Sequence, residues 1–408
     1  MSGGRRNAAL SAVLLLAVAP LVAGCEPKIR ETPPCDWLAE SPRSGAGRLA
    51  VLVDVSTSTR SASGVGSVDY PSALREEIER AVTDQRTVAL SAFSGPASDL
   101  SLTIRSTNWK EQARNAENQA GKREDARDCL TDDVRQLQQV QPTAGGTDIL
   151  RAVSQASAWL RMDSTAPSRH LVIATDGLVT HGCADLTRSR FRGQPEIDAI
   201  AGECLKGEIQ PKELEGITVT MIGVGRPAAD QPIPGTAQAS WLRALWARLC
   251  AEAGGTCAPD AGTVPRSTAA GPAAGTDAAA QDPPVSFGPD LTSFSVPGAL
   301  FDTGRWTLRP EAARVLTRIA VQIRSRPYTK VVVEGYADPR AGGDVDNQTL
   351  SENRARAVAE ALAADGVRSP QPRGMGPTTT CFDGTAVAQS DNSDAALQCL
   401  RRVDITAS

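Results

Sequence analysis

"RLAVLVDVSTST", residues 48–59, decides how this chain is read. An apolar run without polar alternation predicts a strand buried on both faces, as in the parallel sheets of α/β proteins. The run stops at Asp54, and hydroxyls follow at Ser56, Thr57, Ser58 and Thr59. In open α/β sheets the carboxyl ends of the strands are where ligands bind. An acid there, followed by serines at alternate positions, offers hard oxygen donors to a cation.

Outward from this stretch, strand-like and helix-like segments alternate through residue 254. "RTVALSAFS", "SLTIRS", "RHLVIATDG" and "ITVTMIGVG" read as strands. "SALREEIERAV", "DDVRQLQQV", "DILRAVSQASAWLRM" and "SWLRALWARLC" read as helices. This alternation predicts a doubly wound α/β domain over residues 47–254. Residues 255–288 are dominated by Ala, Gly, Pro, Thr and Asp, lack apolar periodicity, and predict a flexible linker spanning roughly 30 Å as a coil. A smaller α+β unit follows over residues 289–408. Its strands are "SFSVPGALF", "TKVVVEGYAD" and "RRVDIT", and its helices are "RPEAARVLTRIAVQI" and "LSENRARAVAEALAADG", the latter expected to be capped by Ser351 and ended by Gly366.

Two further segments bring oxygen donors to strand ends: "AGGTDI" carries Thr147 and "VIATDG" carries Asp176. "DVSTS", with this threonine and this aspartate in this order, resembles the metal-ion-dependent adhesion site of von Willebrand factor A domains. The resemblance implies Mg²⁺ or another divalent cation. Ser56, Ser58 and Thr147 would hold it directly, and Asp54 and Asp176 would act mainly through water. It also implies an open position that a protein partner's carboxylate fills. The alternative is a passive A domain in a purely structural membrane-to-wall tether.

The C-terminal unit carries "FDTG", "VVVEGYAD", "NQTLSENRARAV", "RGMG" and "RRVDI". In this order they resemble the peptidoglycan-binding domain of OmpA-like proteins, with Asn347, Leu350, Ser351, Arg354, Ala355 and Val358 filling the motif NxxLSxxRAxxV. Asp338 suits an ammonium and Arg354 a carboxylate. The resemblance implies diaminopimelate of the wall peptide as ligand, with Asp302, Asn347 and Arg402 lining the groove. Tyr336 and Ala337 replace the family's usual His-Thr, and Leu400 its usual Asn.

The N-terminus reads as a targeting segment. Arg5 and Arg6 precede an apolar stretch over residues 9–23, shorter than a bilayer span. It ends "LVAGC", which resembles a bacterial lipobox. Residues 1–24 would be removed, Cys25 acylated, and residues 25–46 left as a tether. Glu26 favours the outer membrane facing the periplasm, with the outer leaflet of the cytoplasmic membrane as the alternative.

The other eight cysteines suggest disulfides in an exported chain. Cys250–Cys257, Cys381–Cys399 and Cys183–Cys204 are sensible pairs, leaving Cys35 with Cys129. A net charge of −4 without a basic block argues against nucleic acid. His170 and His181 are the only histidines, and no GxSxG elbow exists, so the reading is of a binding protein and not an enzyme.

Overall fold

The computed structural model describes residues 35–38, 46–96, 99–107, 115–259, 264–287, 292–302, 304–340 and 345–408. Cys25, the targeting segment and most of the tether lie outside the described residues. Ten strands form two sheets. The first contains β1 (Arg48–Asp54), β2 (Thr87–Phe93), β3 (Thr103–Ser106), β4 (Arg169–Ala174), β5 (Thr218–Ile222) and β6 (Thr256–Pro259). Its order is β3-β2-β1-β4-β5-β6, and only β3 runs antiparallel to its neighbour.

β1 is central, and every residue in it is buried. Successive side chains of a strand point to opposite faces. Ala50 and Leu52 therefore join a core with Ile149, Ala156, Leu242 and Leu245, while Leu49, Val51 and Val53 join another with Ile78, Leu130 and Val134. Two covered faces are why the run shows no polar alternation. Truncating one such residue, as in Leu52→Ala, costs about 2–5 kcal/mol.

The second sheet contains β7 (Thr292–Pro297), β8 (Val331–Ala337), β9 (Gln371–Pro377) and β10 (Arg402–Ala407), in the order β7-β10-β8-β9. β10 is antiparallel to β7 and β8, and β9 is parallel to β8. Buried and half-buried positions alternate along β8, so one face is cored. That face packs Val331, Val333, Val403 and Ile405 against Leu316, Ile319, Val358 and Leu362 of two helices. Gly335 admits the helix Asn347–Ala364 at close range: a Cβ there would meet the Ser351 carbonyl oxygen at 2.0 Å.

Two readings are corrected. The helix Asn347–Ala364 begins a turn earlier than expected and is capped by Asp346, whose side chain accepts from Thr349 N. Ser351 lies inside the helix, donating to the Gln348 carbonyl at 2.8 Å and accepting from Gly376 N at 3.0 Å. Gly366 does follow the end of this helix, at φ +84°.

The expected free linker is instead held by main-chain bonds. Its first residues form β6. Further on, Gly66 N donates to Ser267 O, Ser267 N to Ser67 O, Ala274 N to Ser61 O and Gly145 N to Ala279 O, all at 2.8–2.9 Å. Backbone pairing of this kind needs no apolar periodicity, so composition could not disclose it.

The two units also touch, a contact that the expectation of a flexible linker did not require. Arg226 pairs with Asp383 at 2.9 Å, Ile233 N donates to Ser293 O at 2.8 Å, and the buried Arg266 guanidinium donates to Ser295 O and Pro227 O. Four disulfides join Cys35–Cys129, Cys183–Cys204, Cys250–Cys257 and Cys381–Cys399. The last closes the insertion that carries Asp383. Among the described residues no helix is long and apolar enough to cross a membrane.

Candidate functional site

The first sheet gathers oxygen donors at the carboxyl ends of its central strands. Asp54 ends β1, and Thr175 and Asp176 follow β4 directly. Thr147 arrives on the glycine turn, bridged to Gly95 just beyond β2. Asp54 is fully buried; its Oδ1 accepts from Ser56 N at 2.9 Å and its Oδ2 from Thr175 Oγ1 at 2.7 Å. The Ser56 and Ser58 hydroxyls lie 3.0 Å apart. Thr147 is buried, and its N donates to Thr180 Oγ1 at 3.0 Å.

Asp176 is only 1% exposed. Its Oδ1 accepts from Leu178 N at 3.0 Å, but its Oδ2 is buried without a hydrogen-bond partner. Burial, and then the charge of Asp54, pushes the Asp176 carboxyl well up, against the pull of the Leu178 N–H and the nearby Ser58 hydroxyl. Burial pushes Asp54 up to about 6, against the hydrogen bonds of Ser56 and Thr175. Two dehydrated carboxylates near each other, one with an orphaned oxygen, form a place where a cation is favourable.

Among the described residues no three His, Cys, Asp or Glu side chains form a metal-holding group. Any ion here would depend on the hydroxyls of Ser56, Ser58 and Thr147, a donor set that suits Mg²⁺ rather than a soft metal. Both histidines are engaged within the fold: His170 Nε2 lies 2.8 Å from Thr220 Oγ1 and its Nδ1 lies 3.6 Å from Glu77 Oε2, and His181 Nε2 lies 3.0 Å from the Gly145 carbonyl.

One member of this site was missed by sequence reasoning. Asp282, from the presumed linker, reaches in: its Oδ2 accepts from Ser58 N at 2.6 Å and its Oδ1 from Gly146 N at 2.8 Å. Its own N donates to Thr57 Oγ1 at 2.9 Å. The only available sequence signal was an acid before Pro283-Pro284 in an alanine-rich tract.

In the second sheet, the predicted residues collect at one end. Asp338 follows β8, and Asn347 Nδ2 donates to the Asp338 carbonyl at 3.2 Å. The Asp338 carboxylate is fully buried, and its ion-pair partners are Arg340 at 2.9 Å and Arg401 at 3.0 Å rather than Arg354. Burial opposes its ionisation, but the hydrogen bonds from Arg340 and Arg401 prevail and hold it below the usual carboxylate range.

Arg354 donates from Nε to the Arg305 carbonyl at 3.1 Å and lies 5.2 Å from the centre of the Phe301 ring. Burial, and then the neighbouring Arg401, lowers it to about 10. Asp302 is half exposed, with Arg309 at 3.7 Å. Arg402 is turned inward: it pairs with Asp404 at 2.8 Å, donates to the carbonyls of Thr380 and Cys399, and lies over Tyr336 at 4.2 Å. Sequence reasoning missed Arg340 and Arg401. Arg401 reaches Asp338 while its neighbour Arg402 points elsewhere.

The OmpA family model matches residues 300–392. "Probable lipoprotein YiaD" of Escherichia coli K12 is 38% identical over 111 residues, which cover 26% of this chain and 47% of that protein. Outer membrane protein A of Serratia odorifera is 35% identical over 113 residues, covering 26% and 46%. The chain thus spans about half the length of these curated relatives. The cell wall anchor of the T6SS from Pseudomonas aeruginosa aligns at 27% identity over 29% of this chain and 81% of that one, with a TM-score of 0.25. Residues 300–392 of the C-terminal unit are thus similar to the OmpA family.

Proposed function

We propose that this chain is an envelope lipoprotein with two binding sites. The OmpA-family domain binds peptidoglycan, and the first unit, a von Willebrand factor A domain, binds a protein partner through a divalent cation. The match over residues 300–392 carries the first part. The grouping of Asp338, Asn347 and Arg354 at one end of that sheet supports a zwitterionic diaminopimelate centre, with Arg354 for its carboxylate and Asp338 for its ammonium. Asp302 borders the groove. Arg402, held by Asp404, orders its floor and does not contact ligand in this reading.

For the first unit, support comes from the strand order, from the donors Asp54, Ser56, Ser58, Thr147 and Asp176, and above all from the buried, unpartnered Asp176 Oδ2. Ser56, Ser58 and Thr147 would hold Mg²⁺ directly, and Asp54 and Asp176 would orient its waters. The ion would supply Lewis acidity toward a carboxylate. Acylation at Cys25 would fix the chain to a membrane, with the outer membrane preferred.

Co-sedimentation of the full chain with purified peptidoglycan tests the wall reading. Wild type is expected in the pellet, and Arg354→Ala and Asp338→Asn in the supernatant. Equal pelleting of folded variants would refute this site. Capture from envelope extract in Mg²⁺, in chelator, and with Asp54→Ala tests the partner reading. A protein retained only by wild type in Mg²⁺ is expected, and identical profiles would leave a passive tether.

A further inference from the structure

The residue that reaches the first site from outside its domain is an acid in a turn of fixed shape. Both carboxylate oxygens of Asp282 are engaged by main-chain N–H groups of the two loops that carry the hydroxyl donors, Ser58 on one and Gly146 on the other. The Asp282 N–H is held by Thr57 Oγ1, so the residue is clamped at three atoms.

The surrounding chain is built for this approach. Gly145 N donates to Ala279 O at 2.8 Å, and a Cβ on Gly145 would meet the Gln281 carbonyl oxygen at 1.9 Å. The turn before Asp282 is fixed by the Asp277 side chain, which accepts from Ala279 N at 2.9 Å. Pro283 and Pro284 then stiffen the exit. The tight Gly145 turn thus serves a second purpose beyond presenting Thr147: it leaves room for the linker backbone.

Charge adds a second argument. Asp282 brings a carboxylate onto the two loops that carry Ser58 and Thr147, beside the strand ends that carry Asp54 and Asp176. One nearby cation, Arg318, lines the same cavity as Asp282 and Ser58. Another is Arg60, whose guanidinium donates to the carbonyls of Val55, Gln138 and Val140 and leaves one nitrogen, Nη1, without a partner. Asp176 Oδ2 is likewise unpartnered. Asp282 thus adds a negative charge beside a site whose buried Asp176 Oδ2 already lacks a partner, which favours a cation there.

We propose that Asp282 is a carboxylate ligand supplied in cis: it occupies the position at the first site that an acidic side chain of a partner would take, so a partner engages only by displacing the linker. This rests on the metal reading of that site. It makes the linker a plug. A tethered ligand competes at millimolar effective concentration, so weak acidic ligands are excluded and only a partner with additional contacts enters.

The test uses Mn²⁺ as the ion and acetate as the carboxylate, on the full chain in detergent. Free Mn²⁺ is followed by electron paramagnetic resonance for wild type, Asp282→Ala, Asp282→Asn and Asp54→Ala, with folding checked by circular dichroism. Both Asp282 variants are expected to bind Mn²⁺ about tenfold more weakly than wild type, because affinity at oxygen sites follows the count of charged ligands. Acetate should restore their affinity and leave wild type unchanged, because only the variants have the position free. Asp54→Ala should not bind and should not be rescued. Equal Mn²⁺ affinity in wild type and both Asp282 variants, or no acetate effect in the variants, overturns the cis-ligand proposal alone. No Mn²⁺ binding by wild type overturns the metal reading and this proposal together. Asparagine keeps the shape of Asp282, so weakening in both variants separates lost charge from lost folding.

Discussion

Asp176 and Asp338 occupy similar places in two different sheets: each lies just beyond the carboxyl end of a strand, and each side chain is buried. Their electrostatic states are opposite. Asp338 meets two arginines and is held ionised. Asp176 meets Asp54, keeps an oxygen without a partner, and is pushed toward the protonated form. A strand-end aspartate in isolation therefore says little about function. What matters is whether the fold neutralises it. The satisfied acid must trade an internal partner for a ligand's ammonium, whereas the unsatisfied one has a direct use for a cation.

The largest expected effect lies at the unsatisfied site. Mg²⁺ at a hundredfold excess over its dissociation constant should stabilise the wild-type chain by about 2.7 kcal/mol. Asp54→Ala should abolish that increment. Urea midpoints with and without Mg²⁺ measure it, and a wild-type midpoint unmoved by Mg²⁺ would erase the contrast between the two aspartates.

Next comes the satisfied site. Arg340→Ala strips Asp338 of one ion-pair partner and the Asp391 carbonyl of the hydrogen bond that Arg340 Nη1 donates. A loss of about 2 kcal/mol is expected, below the usual cost of breaking a buried pair because Arg401 remains. Arg401→Ala, more exposed, should cost less. Equal and negligible losses would mean that the Asp338 cluster is not what holds this loop.

The pH dependence sharpens the same point. Asp338 has a depressed folded value, so its stabilisation is complete above the unfolded value of roughly 4 and disappears as pH falls through the lower folded one. The stability gap between wild type and Asp338→Asn should therefore close toward acid. A gap that stays constant on acidification would contradict the ion-paired assignment.

The smallest effect concerns whether the two sites share one body. Arg226→Ala breaks the largely buried pair with Asp383 between the units and should cost about 1 kcal/mol, the low end for leaving such a charge without its partner because Asp383 keeps the hydrogen bond from Thr385 N. Calorimetry should show whether one unfolding transition separates into two. An unchanged trace would assign the docking to the Arg266 and Ser293 contacts instead.

How much of this was legible in the sequence depends on the range of the interaction. The β1 pattern, the hydroxyls after Asp54 and the "TDG" following β4 are local, and they announced the first sheet and its donors. The NxxLSxxRAxxV motif announced the second unit in the same way. The helix cap was misplaced by one turn because Ser351 and Asp346 are both good N-cap residues, and only the main chain chooses between them. Arg402 was read as facing the groove because two adjacent arginines look alike in sequence. Pairing with Asp404 turns Arg402 inward and leaves Arg401 to meet Asp338.

The sequence by itself determined the alternation of strands and helices, the positions of acids and hydroxyls at strand ends, and the even set of eight cysteines beyond Cys25, because each is written in periodicity, residue type or count. Only the tertiary structure decided that the alanine-rich segment lies along the first unit and delivers Asp282 to its site. The physical reason is that the segment is held by backbone hydrogen bonds and one carboxylate, interactions that reach across more than two hundred residues and leave no periodic trace in the side chains.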